Sequence, residues 1–479
     1  MTAWLQRPWC LPLCVALGFV VLWAPALFTP FWGDDYVFLM EARAARESGL
    51  PLLYAFWPDT TYKFWRPLSQ ETYWRLIEQF LDGHAVAAHA VTLLWHLLSC
   101  WAVATLAHTL AVLMAWRRPM WLAVLAAGVY GLHGLHLLPV HWVAATNSAM
   151  LITWMTLGWS LWLRLSHSPG QPVMGSTHAL ATVAGVLVLQ ALALCSKESA
   201  ILWPVLALVL GWFVAPGRLP GRWQWVAWGL CVGLCLVWWV LRQRFTAQVE
   251  ANYVLTMGSN VLVNATAMLA WLMNVPREAI RLLMAGDVAL GALWCAMVLL
   301  PMVGAVALVA QGAWASMGGQ RLAACVVFAA VACSPYFLLA QQSYEYYAAL
   351  AWVLPSVVFA AGAWSSSAPV PACILFFLAS LVSVKGSEWV GQPALLARAH
   401  WAESNLARLS KGPVQAPVWV EVRDRQQFYA VGTAGLAWRF KLPANQVHVT
   451  AQCENEVGHG LRQDAKGHLV WQSCGGRER

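Results

Sequence analysis

Charge is what this chain has least of. Asp, Glu, Lys and Arg make up only 10% of its 479 residues, where a soluble globular chain carries roughly a quarter. With 60% hydrophobic residues and a mean hydropathy of +0.59, that shortage excludes an ordinary soluble domain. The sequence also lacks a CxxC pair, so it signals no zinc or redox motif. It has no phosphate-cradling glycine loop, no internal repeat and no low-complexity segment. No basic, aromatic-interleaved surface marks a nucleic-acid partner, although the net charge is +8. No small-x-small cleavage pattern closes the first apolar run, about 11–30, which therefore reads as a retained signal anchor.

What is present is apolar length. A membrane-crossing helix needs about 20 apolar residues, and runs of that kind recur along the chain. They predict an all-α polytopic membrane domain over 1–390 with about eleven transmembrane helices. The first loop, about 31–83, is too long for a simple connector. It holds two stretches of helical spacing, 36–47 and 68–81, expected to lie amphipathically along the membrane surface. The segment 242–281 reads as a long polar loop. After 390 the hydropathy drops, and short alternating runs at 418–422 and 447–450 predict strands. The segment 391–479 is expected to be a small extracytoplasmic α/β domain.

Basic residues orient such a chain. With the N-terminus inside, Arg117, Arg118, Arg164, Arg218, Arg222 and Arg321 all fall on the cytoplasmic side. The first loop, the 133–141 link, Lys197-Glu198, the 242–281 segment, the 341–347 loop and the tail fall outside. Most of the 12 Cys, among them Cys14, Cys100, Cys195, Cys231 and Cys235, sit in apolar runs as small hydrophobes. Cys453 and Cys474 lie in the polar tail. An oxidising compartment would permit a disulfide there, but spacing leaves the pairing open.

The outer face collects the residues that need explaining. Trp32-Gly33-Asp34-Asp35-Tyr36 follows the first apolar run directly, so two carboxylates sit at the membrane boundary. A Gly-Asp-Asp cap for a helix starting at Tyr36 is the plainer reading. Around the pair, topology gathers Lys63 and Arg66, His133, His136 and His141, the Lys197-Glu198 pair, and Arg242, Arg244, Arg277 and Arg281. A carboxylate beside several cations suits removal of a proton from a hydroxyl by Asp while Arg and Lys hold a phosphate leaving group. Each piece has a structural alternative. Lys197-Glu198 can be a local ion pair, and Arg66 a snorkelling anchor. His96 and His108 read as packed residues. His133 and His136, three apart, could reach a divalent metal, but spacing supplies no third ligand, so no cofactor is assigned. Trp65, Trp142 and Tyr346 stand apart from the interfacial aromatic belt.

At these residues the chain resembles the GT-C membrane glycosyltransferases, close to the protein O-mannosyltransferase-like enzymes and their bacterial relatives. The resemblance runs in order through Trp32-Gly33-Asp34-Asp35-Tyr36, Trp65-Arg66-Pro67-Leu68, His96-Leu97-Leu98, Leu132-His133-Gly134-Leu135-His136 running on to Trp142, and Leu194-Cys195-Ser196-Lys197-Glu198-Ser199-Ala200 before Trp203-Pro204. It implies inverting transfer of a sugar from a polyprenyl-phosphate carrier to a lipid, glycan or protein acceptor. Asp34 or Asp35 would be the base. Arg66 and Lys197, with Lys63, Arg242 and Arg244 nearby, would contact the carrier phosphate, and Glu198 would orient Lys197 or line the site. His133, His136, His141, Trp142, Tyr344 and Tyr346 would line the site. The expected location is a bacterial inner membrane, with the site and the tail domain periplasmic. Two patterns depart from the family. Its His-Pro-x-His-x-Glu reads here His133-Gly134-Leu135-His136-Leu137-Leu138, and its Arg-Tyr-x-Tyr reads Ser343-Tyr344-Glu345-Tyr346-Tyr347. A flippase for a polyprenyl-linked sugar, or a non-enzymatic partner in glycan assembly, are the other functions this pattern admits.

Overall fold

A computed structural model describes residues 9–57, 64–166, 175–245, 254–340, 343–391, 394–410, 416–450 and 458–474. Helix α1 (Cys10–Trp23) continues as a 3-10 turn to Phe28, and α2 (Asp34–Glu47) begins at the carboxylate pair. A π turn over Pro67–Thr72 leads into α3 (Tyr73–Leu81). The two first-loop helices thus form where helical spacing predicts them. The bundle follows as α4 (Ala85–Leu113), α5 (Pro119–Gly131), the short α6 (Leu137–His141), α7 (Asn147–Arg164), α8 (Ser176–Ser196), α9 (Trp203–Val214), α10 (Arg222–Phe245), α11 (Ser259–Leu272), α12 (Arg277–Met284), α13 (Val288–Phe337), α14 (Val353–Ser365) and α15 (Pro369–Trp389).

Among the described residues, six helices are long and apolar enough to cross a membrane, or seven if α5 and the bent 134–141 segment count as one span. Three further apolar helices are shorter, Glu198–Val214, Ser259–Leu272 and Val353–Ser365. The chain is an integral membrane protein. Helix α13 alone has 50 residues, about 75 Å at helical rise and far beyond one bilayer core. Its backbone leaves helical geometry at Gly318, φ +71°, dividing it into 288–317 and 319–337. Helices α13 and α14 approach so closely that a Cβ on Gly312 would lie 2.3 Å from the Gly362 carbonyl oxygen. Small residues at such crossings let membrane helices pack backbone to backbone. Side chains on the outer faces, such as Val20, Leu300 and Val326, are apolar and exposed.

The polar 242–281 reading needs correction, because α11 lies inside it. Asn264 lowered the apparent hydropathy, yet its side-chain amide donates to the carbonyls of Tyr336, Phe337 and Leu339 at the end of α13, at 3.2, 3.2 and 2.8 Å. It closes orphan carbonyls rather than facing water.

After α15 comes α16 (Leu395–Leu409), then β1 (Val418–Glu421), α17 (Arg425–Phe428), α18 (Gly432–Phe440), β2 (Val447–Thr450), β3 (Gly458–Gln463) and β4 (Leu469–Cys474). The sheet order is β2-β1-β3-β4. Strand β1 runs parallel to both β2 and β3, and β4 is antiparallel to β3. This α/β unit shares one hydrophobic interior with the first loop. Tyr36, Leu39, Met40 and Trp74 pack in the same cluster as Leu406, Val420, Val431 and Leu436.

The orienting arginines gather at one end of the bundle. Arg118 stacks over Trp364, and Arg321 donates to the Phe213 and Val214 carbonyls. The Trp162 indole at the end of α7 donates to the Gln224 carbonyl at the start of α10. The carboxylate pair and the α8–α9 junction lie at the other end.

Candidate active site

The two carboxylates do different things. Gly33 adopts φ +58°, and its amide donates to the Ala430 carbonyl at 2.9 Å. That turn starts α2 with both acids in its first turn, where the helix dipole favours negative charge. Asp35 is fully buried. Its Oδ2 accepts the Trp32 amide at 3.1 Å and its Oδ1 accepts the Ala144 amide at 2.7 Å. Burial raises its pKa, while these two amides pull the other way. Asp35 therefore ties the start of α2 to Trp32 and to the turn before α7, rather than capping α2 itself. Asp34 is half-exposed, and its Oδ1 accepts the Tyr429 hydroxyl at 2.6 Å.

The second group lies at the α8–α9 junction. Arg66 forks onto Glu198 with three hydrogen bonds of 2.7–3.1 Å. The side chains are 15% and 23% exposed, so the pair is only partly buried. Lys197 lies between the α8 and α9 spans, donates to the Ser148 hydroxyl at 2.7 Å and sits 4.7 Å above the Tyr346 ring. Burial first, and the nearby Arg66 second, lower its pKa to about 7. Arg242 stands over the Trp238 ring and close enough for its charge to act on Glu198. Arg244 is exposed at the end of α10. Lys63 lies outside the described residues, as do Cys453 and the side chain of Cys474.

Tyrosines from the loop before α14 join the two groups. Tyr344 stacks on Tyr346 at 5.7 Å, Tyr346 meets Tyr347 edge-on at 4.7 Å, and Tyr347 stacks on Tyr336 at 4.3 Å. Arg277 lies 4.7 Å over Tyr344 at one end of this series, and Lys197 lies over Tyr346 further along. A cation over an aromatic face is attracted by the ring's quadrupole, and Arg277 also meets Glu278 at 4.0 Å. Tyr344 is near enough to Asp34 to feel its charge. Below the tyrosines Trp32 stacks on Trp142 at 4.8 Å. Glu278 takes Arg281 at 3.6 Å and the Leu395 amide at 3.4 Å, fixing α12 against the start of α16. Glu345, beside this cluster, is buried, and burial pushes its pKa up to about 7 against the pull of Arg277.

The histidines are buried, His133 and His136 at 0% and 2% exposure. The chain turns back into the bundle after α5, at a 58° bend, and carries both rings inward. The His133 ring packs on Trp352 at 4.5 Å while its Nδ1 accepts the Leu135 amide. His136 packs on Tyr130 and His96 at 4.5 and 4.6 Å. His141 is buried too, bonded to the Thr29 hydroxyl at 2.9 Å and 3.5 Å from Glu388. These rings pin α1, α4, α5 and α15 together. Among the described residues no three His, Cys, Asp or Glu side chains converge as a metal site. Sequence reasoning missed Tyr429 and Ser148. Tyr429 meets Asp34 across 395 positions, and no local pattern marks it.

No family model matches this chain, and no curated protein matches it. Solved structures do. ArnT from Cupriavidus metallidurans bound to undecaprenyl phosphate is similar with a TM-score of 0.53 and 14% identity, over 95% of this chain and 93% of that one. The apo form of the same protein gives 0.54 and 13%, over 95% and 93%. The likeness is one of fold. This chain shares the fold of those ArnT structures over nearly its whole length.

Proposed function

We propose that this chain is an inverting membrane glycosyltransferase. It moves a sugar from a polyprenyl-phosphate carrier to an acceptor hydroxyl or phosphate at the outer, periplasmic face of a bacterial inner membrane. The supporting observation is one half-exposed carboxylate, Asp34, at the same end of the bundle as Arg66, Lys197 and Arg242, with Tyr344 and Tyr346 between them. The carrier class is the one seen on the ArnT structure of like fold.

For a hydroxyl acceptor, Asp34, held by the Tyr429 hydroxyl, takes the O–H proton. The acceptor oxygen then bonds to the sugar C1. The bond from C1 to the phosphate oxygen breaks, and its electron pair leaves on the carrier phosphate. Arg66 and Lys197 stabilise that developing charge. Lys197 suits the task because burial and the nearby Arg66 disfavour its charge, and a phosphate would supply the partner that favours it. Glu198 keeps the Arg66 fork planar and aimed until the phosphate competes for it. Asp35, with both oxygens engaged by amides, is the supporting acid rather than the base. A flippase would be expected to carry its charges near the bilayer midplane, whereas these lie at helix ends.

Transfer from a panel of radiolabelled polyprenyl-phosphate sugars, in membranes holding the full chain, tests this reading. Asp34→Asn is expected to abolish transfer, by about a thousandfold or more, with membrane insertion intact. An Asp34→Asn chain that transfers at the unmodified rate overturns it.

A further inference from the structure

The C-terminal unit reaches the proposed base directly. The Ala430 carbonyl accepts the Gly33 amide, and the Tyr429 hydroxyl donates to Asp34 at 2.6 Å. The Tyr429 ring leaves no room at Gly33, where a Cβ would lie 3.0 Å from it at a backbone φ that side chains rarely adopt. One turn further along α2, the Tyr36 ring packs against Gly435 of α18, where a Cβ would lie 2.9 Å away. Tyr429 is itself held. It ends the short α17, whose first turn is capped by Asp424 accepting the Gln426 and Gln427 amides, and its own amide donates to Arg425. Its ring is 43% exposed, so it borders the opening beside Asp34.

We propose that Tyr429 is a positioning residue for Asp34, which makes the C-terminal unit a structural part of the active site. The inference rests on the glycosyltransferase reading above, in which Asp34 is the base. A 2.6 Å O–H···O contact to a carboxylate is the short, charge-assisted kind. It fixes the Asp34 rotamer and so the direction its carboxylate presents. Proton transfer to a carboxylate depends steeply on that aim. Among the described residues, the other charged or titratable groups near Asp34 include Asp35 on the same helix, Tyr344 from the loop before α14, and Arg277 and Arg398 beyond Tyr344.

Tyr429→Phe in the full chain keeps the ring on Gly33 and removes only the donor. With the donor that the sugar panel identifies, kcat is expected to fall about tenfold while the donor KM stays within about twofold. Carbodiimide labelling of Asp34, read by peptide mass spectrometry across pH, reports its protonation without relying on turnover. Loss of the phenol is expected to move the labelling midpoint up by about half a unit or more, because a hydrogen bond to the charged form is lost. Fluorotyrosine at 429, a stronger donor, is expected to move it down, and this second variant serves even if the Phe chain folds poorly. Unmoved midpoints in both variants overturn the inference. Transfer that survives Asp34→Asn overturns the glycosyltransferase reading instead, and the labelling shift still reports on Tyr429.

Discussion

The two ends of the helical bundle hold cations of the same type and keep them in opposite ways. At one end Arg117, Arg118, Arg164, Arg218 and Arg222 are exposed. Arg321, half-buried there, donates to the Phe213 and Val214 carbonyls, and Arg118 and Arg222 lie over Trp364 and Trp223. Water and helix-end carbonyls satisfy them. At the other end, Arg66 forks onto Glu198, Lys197 is held by Ser148 and Tyr346, Arg281 meets Glu278, and Lys385 meets Glu388 at 2.9 Å. A charge taken out of water needs a partner or a ring. Partnership with a carboxylate or hydroxyl, rather than the presence of Arg or Lys, therefore separates the charges of the two ends.

The largest effect is expected from breaking the pairing at the working end. Arg66→Ala leaves Glu198 buried without its fork and removes a cation from the proposed phosphate site. Stability is expected to fall by about 2–4 kcal/mol, somewhat below the cost for a fully buried pair because both partners are only partly buried. Transfer is expected to fall more than about a hundredfold. The double variant Arg66→Ala/Glu198→Ala should recover part of the stability and none of the activity. Thermal unfolding in detergent separates the two. If the double variant is no more stable than Arg66→Ala alone, the pair is not what holds this end.

A smaller effect is expected at Glu345, and it has a sign in pH. Burial raises this carboxyl from 4.5 to about 7 in the folded chain. The folded state then holds a proton that the unfolded state has released, so stability is highest below 4.5 and falls as pH rises through the window from 4.5 to about 7. Above that window the loss is complete, at most about 3 kcal/mol. Glu345→Gln should flatten the dependence and stabilise the chain at neutral pH, provided the amide is accepted beside Arg277. Melting temperatures at closely spaced pH values measure this. A slope unchanged by the substitution assigns it to another group and removes Glu345 from the working end.

Much of this contrast was legible in the sequence, and for a physical reason. Apolar length and loop charge are local properties, so the membrane helices, the amphipathic stretches of the first loop and the β1 and β2 strands could be read from neighbouring residues. The Asp34-Asp35 turn was visible for the same reason. Its division of labour was not, because Asp35 is defined by an amide at Ala144 and Asp34 by a hydroxyl at Tyr429. The burial of His133 and His136 was not legible, because they sit in a loop by sequence while the chain bends back and packs their rings. Helix α11 was hidden because Asn264 looks hydrophilic until the carbonyls of α13 are placed beside it.

The smallest effect is expected at the orienting end, and it sharpens the contrast most cheaply. Arg218 and Arg222 are exposed in the turn between α9 and α10. Water solvates both guanidinium groups already, so Arg218→Gln/Arg222→Gln should change stability by no more than about 0.5 kcal/mol. The transfer rate should stay within about twofold, because no phosphate-holding group is touched. Orientation should also persist, since Arg117, Arg118, Arg164 and Arg321 still bias the same side. The measurements are a melting curve, the transfer assay, and labelling of a cysteine introduced in this turn from either side of the membrane. A loss of transfer comparable to that of Arg66→Ala, in a chain still correctly inserted, would mean that an unpaired surface cation can carry the chemistry. Partnership would then no longer separate the two ends.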